Sequence, residues 1–258
     1  MVFVGLDMGL FSVKAVLLEN HRIISHKILL YEDESEKTAQ RIMDLLLAEA
    51  GLDFDDIESV VSTGMGRKEV PFAKINRTEQ VCLAKGAYYL FPSVRTVLDT
   101  GAGGCRSLTL DDEGKFSDFA SNSKCAGGTG SFIEAAGKVL QLDLETLDKL
   151  ALKADSTAPV TSYCAVFAES EIISNIHHGF PVDNICAGIC ESVMQRMMDL
   201  LRRVDTQKDV LLCGGVAKYR TIVRMFDKEL GFPVLIPENP LIIGALGAAL
   251  IAKGLVKK

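Results

Sequence analysis

Two aspartates stand in the same short pattern, which occurs twice in the chain at an offset of 92 residues. The first copy contains Asp7 in V-G-L-D-M-G, and the second contains Asp99 in T-V-L-D-T-G. A basic residue follows seven positions later in each copy, Lys14 in the first and Arg106 in the second. A carboxylate at a strand end can hold Mg²⁺, and a glycine turn lets backbone N–H groups approach phosphate oxygens. The repeat predicts two related lobes that clasp a nucleotide, with both aspartates in catalysis.

Two further glycine-rich turns precede predicted helices, C-A-G-G-T-G at 125–130 and L-C-G-G-V-A at 212–217. Glycines at the second turn would let a purine or ribose lie close to the backbone. The chain contains no G-x-x-x-x-G-K-[ST] motif and no G-x-G-x-x-G after a strand, so the predicted ATP site is of another kind. The residues predicted to contact the nucleotide are Gly9, Ser12, Lys14, Gly101, Gly103, Gly127, Gly128, Thr129, Gly214 and Gly215.

Size and composition limit the function classes. The 258 residues suffice for one large domain or two lobes, and 48% hydrophobic residues supply a sizeable core. A net charge of −6 argues against a nucleic-acid surface, and no apolar run is long enough to span a membrane. The N-terminal segment has the pattern of a strand rather than of a signal peptide, so we expect a cytoplasmic protein.

The predicted elements place these residues at strand ends and helix starts. The strands predicted are 2–7, 12–18, 57–62, 94–98, a hairpin around the turn 111–114, 209–213 and 234–236. The helices predicted are 36–50, 79–90, one starting near 131, 165–175, 184–204 and a small-residue helix near the C-terminal end. The restart of the repeat predicts a lobe boundary near residue 93, giving lobes 1–93 and 94–258, with the last helix able to pack back on the first lobe.

Seven cysteines are an odd number for a disulfide set, and no C-x-x-C motif is present. They are therefore either buried core residues or ligands of a soft metal. Cys125 and Cys164 each lie next to the start of a predicted helix. The partial positive charge of a helix N-terminus favours a thiolate, which makes these two the candidate metal ligands. The other five, including Cys186 and Cys190 on one helix face, are predicted to be structural.

The motif set as a whole resembles a known family. It comprises the two D-x-G turns, T-G-M-G-R, C-A-G-G-T-G, C-A-V-F-A-E-S-E, G-G-V-A and G-A-L-G-A-A. In this order and spacing it is similar to the BadF/BadG/BcrA/BcrD-type ATPases: activators of 2-hydroxyacyl-CoA dehydratases, such as 2-hydroxyglutaryl-CoA dehydratase, and ATPase subunits of ATP-dependent benzoyl-CoA reductase. The resemblance covers nearly the whole chain.

The resemblance implies an α/β protein of the actin/Hsp70/sugar-kinase (ribonuclease H-like) fold, with two lobes that each contain a mixed five-stranded sheet flanked by helices. It implies ATP or ADP with Mg²⁺, and one [4Fe-4S] cluster shared by two subunits, with Cys125 and Cys164 as the ligands from each chain. The dimer would be a homodimer or a pseudo-twofold heterodimer. The implied activity is ATP-driven transfer of a low-potential electron from a ferredoxin or flavodoxin to an acyl-CoA dehydratase or benzoyl-CoA reductase.

The sequence departs from the activators at two places. Leu10 and Phe11 stand where activators carry small hydroxyl residues, and D-T-G-A-G-G-C-R lacks the Gln and second Asp of their D-x-G-G-Q-D motif. These differences put full ATPase competence in question. Two alternatives stay open: a sugar or small-molecule kinase of the same fold, in which Asp99 would face a substrate hydroxyl, and a catalytically weakened nucleotide-binding scaffold. Arg67 in T-G-M-G-R has no assigned role.

Overall fold

The computed structural model describes residues 1–32, 34–101, 104–122, 130–161 and 164–255. The chain divides into two compact units. The first comprises Met1–Val97, Leu108–Asp118 and Pro237–Lys258, and the second comprises Leu98–Ser107 and Phe119–Ile236. The lobe boundary near residue 93 stays a prediction; these units interleave along the chain, and the C-terminal segment belongs to the first of them.

The first unit is built on a five-stranded mixed sheet in the order β3-β2-β1-β4-β5. Its strands are β1 (Val2–Met8), β2 (Ser12–Glu19), β3 (Arg22–Leu30), β4 (Ile57–Gly64) and β5 (Ile75–Asn76). Its helices are α1 (Ser35–Ala50), α2 (Glu79–Leu90) and α8 (Ile243–Gly254), which is the last helix of the chain. β1 pairs antiparallel with β2 and parallel with β4, so it lies in the middle of the sheet.

Alternate residues of β1 face opposite sides of this sheet, as the two-residue period of a strand requires. Val4 and Leu6 pack with α1, around Ile42 and Leu46. Phe3 packs on the other face with the apolar residues of α8. Asp7 has the parity of Phe3, so the strand itself directs its carboxylate toward α8.

Helix α8 approaches this face closely because its residues and their neighbours are small. A Cβ on Gly5 of β1 would lie 2.0 Å from the carbonyl oxygen of Ala245. A Cβ on Gly247 would lie 1.7 Å from the carbonyl oxygen of Cys82 in α2. Neither glycine can be replaced without separating the backbones. The predicted small-residue helix is confirmed, and it packs on β1 and α2 of the first unit.

The second sheet has the order β8-β7-β6-β9, from β6 (Thr96–Thr100), β7 (Cys105–Leu110), β8 (Phe116–Asn122) and β9 (Val210–Gly214). The resemblance implied five strands here, but the described residues form four. The predicted strand 234–236 is reduced to one bridge between Leu211 and Leu235. Pro233 and Pro237 flank this segment, and proline has no N–H to extend the pairing.

The helices of the second unit are α3 (Gly130–Leu140), α4 (Leu144–Ala151), α5 (Ala165–His177), α6 (Val182–Leu201) and α7 (Arg220–Leu230). α6 passes through the centre of the core, and its predicted apolar stripe is buried, including Ile185, Ile189, Val193 and Met197. The helix predictions are confirmed in this unit. Across the described residues, no helix has the length and apolar character that crossing a membrane requires.

Candidate functional site

The first Asp-x-Gly turn closes the hairpin between β1 and β2. Asp7 and Lys14 are directly opposite in the antiparallel register, and Gly9 N–H donates to the carbonyl oxygen of Ser12 over 3.1 Å. Lys14 Nζ donates to the same Ser12 oxygen over 3.3 Å. The structure therefore brings together three residues predicted to contact the nucleotide, Gly9, Ser12 and Lys14, and the predicted catalytic Asp7. A cation and a tight glycine turn at one hairpin end can bind an anionic group.

The space beside Gly9 is limited. A Cβ at Gly9 would lie 2.7 Å from Lys14 Nζ and 3.0 Å from the Ser12 carbonyl oxygen. Glycine at this position thus lets the ammonium group approach the turn backbone. Leu10 and Phe11, the residues that replace small hydroxyl residues, are 53% exposed each. Their side chains project outward, so the departure from the activator pattern changes the outer surface of the turn and leaves the hairpin closure intact.

The Asp7 carboxylate is held between two glycines of the first unit. A Cβ at Gly64 would lie 2.7 Å from one carboxylate oxygen, and a Cβ at Gly244 would lie 3.0 Å from the other. Tyr31 also lies in this region: burial, and then the negative charges of Asp7 and Glu69, raise the pKa of its hydroxyl to about 12. Sequence reasoning quoted Gly244 only as part of the motif G-A-L-G-A-A and did not place it beside Asp7, and it missed Tyr31. Neither residue is close to Asp7 along the chain.

The second Asp-x-Gly turn lies in the second unit and closes in the same way. Gly101 N–H donates to the carbonyl oxygen of Gly104 over 2.9 Å, which is the first turn's hydrogen bond displaced by the repeat offset. Here the basic residue pairs with the aspartate: Arg106 Nε lies 3.4 Å from Asp99 Oδ2. The thiol of Cys213 donates to Asp99 Oδ1 over 3.6 Å. Gly103 lies outside the described residues.

Two glycines outside the repeated pattern occupy corresponding positions in the two units. Gly64 ends β4, and a Cβ there would lie 2.4 Å from the Met8 carbonyl oxygen. Gly214 ends β9, and a Cβ there would lie 2.2 Å from the carbonyl oxygen of Thr100, the repeat partner of Met8. Both have positive φ, 91° and 83°. The internal repeat therefore extends to a second strand in each unit.

The sequence contained a signal for this second correspondence. T-G-M-G spans the end of β4 as C-G-G-V spans the end of β9, each with a glycine at the strand end and a short 3-10 helix after it. Gly215 begins the second of these helices, Gly215–Lys218. Arg67, which had no assigned role, donates from its guanidinium to the carbonyl oxygen of Gly64 over 2.9 Å. It thereby supports the strand end that contacts Asp7.

Cys164 is the N-cap residue of α5, and its thiol is exposed. The next turn of the helix presents Val166 and Phe167, which are 70% and 68% exposed. Within α5, the carboxylate of Glu171 accepts hydrogen bonds from Thr161 N–H over 2.9 Å and from the Thr161 hydroxyl over 2.6 Å. Cys125, Gly127, Gly128 and Thr129 lie outside the described residues.

The other cysteines of the described chain are buried, as predicted. Burial raises the pKa of Cys82 and Cys105 to about 12 and that of Cys186 to about 11. Burial likewise raises the pKa of Cys190 and Cys213. These thiols stay protonated near neutral pH and are poor metal ligands. Within the described ranges no group of three or more His, Cys, Asp or Glu side chains is placed to hold a metal ion.

Residues 4–252 match the BadF/BadG/BcrA/BcrD ATPase family, and the chain belongs to that family. The resemblance drawn from the motifs is thereby confirmed.

The most informative relatives are similar over almost their whole length. The activator of lactoyl-CoA dehydratase from Anaerotignum propionicum is 39% identical over 252 residues, covering 98% of this chain and 97% of that one. A benzoyl-CoA reductase subunit from Thauera aromatica is 31% identical, covering 95% of this chain and 91% of its own.

The solved structure of the activator of the 2-hydroxyisocaproyl-CoA dehydratase from Clostridium difficile, with bound ADPNP, matches with a TM-score of 0.92. It is 33% identical, and the match covers 100% of this chain and 99% of that one. A glucokinase of the ROK family from Streptomyces griseus, 13% identical, matches with a TM-score of 0.61 over 98% of this chain and 100% of that one, which shows the fold alone. The α/β two-lobe fold shared by actin-like ATPases and sugar kinases is confirmed.

Proposed function

We propose that this protein is an ATP-driven donor of low-potential electrons to an acyl-CoA dehydratase or benzoyl-CoA reductase. The observation that carries the proposal is Cys164. Among the described cysteines it is the exposed one, it begins a helix, and exposed apolar side chains follow it. A kinase that transfers phosphate to a small molecule does not require an exposed thiol at a helix start.

ATP would bind with Mg²⁺ at the two Asp-x-Gly turns. Asp7 and Asp99 would hold Mg²⁺ through water and orient the attacking water, since Mg²⁺ binds carboxylate and phosphate oxygens and keeps several waters. The residues for the phosphates would be Gly9, Ser12, Lys14, Gly101, Gly103, Gly127, Gly128 and Thr129. Gly214 and Gly215 would lie against adenosine. The Gly9 hairpin, with Lys14 at its mouth, supports the anionic part of this assignment.

The [4Fe-4S] cluster would be held by Cys125 and Cys164. Such a cluster needs four thiolates, so two chains would each give half of the ligands, in a homodimer or a pseudo-twofold heterodimer. The donor chemistry of Cys164 fits: an exposed sulfur at a helix N-terminus interacts favourably with the N–H groups there when it is anionic. When bound, the cluster would supply the electron, received from a ferredoxin or flavodoxin.

The helix that begins at Cys164 can transmit movement of its unit to that sulfur, because the N-cap residue is part of the helix backbone. Glu171, about two helical turns further on, ties the preceding segment to the same helix. ATP binding and hydrolysis would therefore change the position of α5 and of Cys164 at its start. This is the step that would couple nucleotide to electron release.

The test is anaerobic purification followed by iron and sulfide counting. The proposal expects a brown protein with about four irons per dimer, lost in Cys125→Ser and in Cys164→Ser. Cys186→Ala is the matched control, since Cys186 is buried in α6, and it should keep its iron. A colourless wild-type protein that phosphorylates sugars would replace the proposal with the kinase alternative. A colourless protein that binds ATP without turnover would favour the scaffold.

A further inference from the structure

The first unit contains a cavity of about 570 Å³ at the end of β1 remote from Asp7. Phe3 is the second residue of this strand, and Asn20 and His21 form the turn between β2 and β3. Asp7 and the Gly9 hairpin lie at the other end. The described lining residues are Met1, Phe3, Asn20, His21, Lys85, Tyr88, Tyr89, Pro92, Leu250, Lys253 and Gly254. All belong to the first unit, so the cavity is complete within it.

Three separate elements fix the rim of this cavity at His21. Asn20 and His21 both have positive φ, 46° and 68°, as the two central residues of a tight β-hairpin turn commonly do. The hydroxyl of Tyr89 in α2 donates to the His21 carbonyl oxygen, and the ammonium of Lys253 in α8 contacts His21 Nε2. These two contacts hold the β2–β3 turn against α2 and α8.

The walls supply apolar surface. Phe3 is buried in the core and Leu250 is 8% exposed, and both present carbon atoms to the cavity. Tyr88 donates its hydroxyl to the carbonyl oxygen of Asp112 over 3.2 Å, and Tyr89 uses its own at His21. Because both hydroxyls are engaged with backbone, the rings contribute mainly apolar area to the lining.

The charge of the lining has one sign. Lys85 of α2 and Lys253 of α8 are cationic, and the described lining residues include no aspartate or glutamate. An apolar cavity with two ammonium groups selects an anion that carries a hydrophobic body. A sugar phosphate lacks such a body, and a neutral hydrocarbon gains nothing from the two charges. The volume lies in the range of small-molecule sites, roughly 300–1,000 Å³.

We propose that this cavity is a binding site for a small monocarboxylic acid with an aromatic or branched aliphatic body. The carboxylate would pair with Lys85 and Lys253, and the body would lie among Phe3, Leu250 and the tyrosine rings. The proposal is independent of the proposed electron-donor function, because the cavity shares no residue with the nucleotide turns or with Cys125 and Cys164.

The experiment is calorimetric titration of the nucleotide-free protein with phenylacetate, which has an aromatic body, and with 4-methylpentanoate, which has a branched aliphatic body. Each acid is matched with its neutral amide. At least one acid should bind with a Kd near or below about 1 mM, and its amide about tenfold more weakly. The Lys85→Met variant should lose this preference for the acid. It is a cleaner change than Lys253→Met, because Lys253 also contacts His21.

Protection of individual lysines from chemical modification shows whether the acid binds in this cavity or elsewhere on the surface. The acid that binds should shield Lys85 and Lys253 from chemical acetylation, measured by mass spectrometry, and leave Lys228 of α7 unshielded. Lys228→Met serves as the charge-matched control and should keep the wild-type titration. The proposal is overturned if every acid binds more weakly than about 1 mM, if acid and amide bind equally, or if the acid that binds leaves Lys85 and Lys253 open to acetylation.

Discussion

The two Asp-x-Gly turns have the same backbone hydrogen bond, but their basic residues contact different groups. In the first, Lys14 reaches the carbonyl oxygen of Ser12 at the mouth of the hairpin. In the second, Arg106 pairs with Asp99 itself. The hairpin closure and the glycine pressed on the neighbouring strand are the same in both. The two copies thus share the geometry of the turn and differ in what the positive charge contacts.

This difference indicates that the two basic residues have different functions. A lysine is a compact point charge on a flexible stem, and at a turn it can move to meet a phosphate oxygen. A guanidinium fixed on a carboxylate instead determines how that carboxylate is oriented. We infer that the first turn mainly binds phosphate and that Arg106 mainly positions Asp99.

The largest effect should come from the two strand-end glycines. Gly64→Ala and Gly214→Ala each place a Cβ within 2.4 Å of a carbonyl oxygen at positive φ. Each should lower the free energy of unfolding by about 3 kcal/mol or more, from backbone strain together with overpacking. Denaturant titration measures this. Gly51→Ala is the control: φ is +66° with open space around it, so only the strain, about 1 kcal/mol, should appear. A mild effect of either strand-end change would break the correspondence between the units.

The next effect concerns the two aspartates. Asp7→Asn and Asp99→Asn should each reduce ATP hydrolysis by about a hundredfold, because each removes a carboxylate proposed to act on Mg²⁺ and water. Steady-state phosphate release measures the rate. The exposed Asp112→Asn, in the same unit as Asp7, should leave it unchanged. Full activity in one of the two variants would show that only one copy of the turn takes part in catalysis.

Substitution of the two basic residues should have different effects, one mainly on the affinity for ATP and the other mainly on the rate of hydrolysis. Lys14→Met should raise the Kd for ATP about tenfold, since a charge-assisted contact to phosphate is lost. Arg106→Met should lower kcat with a smaller change in Kd, and Arg106→Lys should restore it only in part, because lysine cannot reproduce the fixed guanidinium. Nucleotide titration together with turnover distinguishes the two. Identical profiles for Lys14→Met and Arg106→Met would contradict this difference in function.

The smallest effect is on alkaline stability. Cys82 in the first unit and Cys105 in the second have pKa values raised from 9.0 to about 12, chiefly by burial, with Asp7 and Asp99 as further causes respectively. The folded chain keeps these protons when the unfolded chain loses them. Stability is therefore complete below pH 9 and falls as the pH rises from 9 toward 12.

Unfolding titrations across this pH interval test the point. Cys82→Ala and Cys105→Ala should each flatten the alkaline decline relative to the unsubstituted protein. An unchanged slope in both variants would show that other groups cause the decline.

Most of the fold could be predicted because the relevant patterns are local. The alternation in β1 and β2 and the three-and-four spacing in α1 and α6 follow from the period of each element. β3 was missed because it lies at an edge of the sheet and exposes Ile23, Ile24 and Ile28, so no alternation is visible. The strand predicted at 234–236 is only a single bridge at Leu235, because the prolines on either side have no N–H with which to extend the pairing.

The site was predictable only where its residues repeat. Asp7, Gly9 and Lys14 were found through their partners 92 positions later, and the structure places them on one hairpin. Gly244 and Tyr31 were not, because their proximity to Asp7 depends on tertiary packing, with α8 reaching β1 from the far end of the sequence. Arg67 similarly acts through a backbone carbonyl, which leaves no pattern in side-chain types.

Helix α8 has a consequence for how the protein is made. It covers the Gly5 face of β1, yet it emerges from the ribosome only after the entire second unit. At about 5–20 residues per second, that face stays uncovered for roughly 10–50 seconds after the first strands appear. An N-terminal nascent chain of this protein therefore exposes one apolar face of its sheet. We expect chaperones to bind this face until α8 has been translated and covers it.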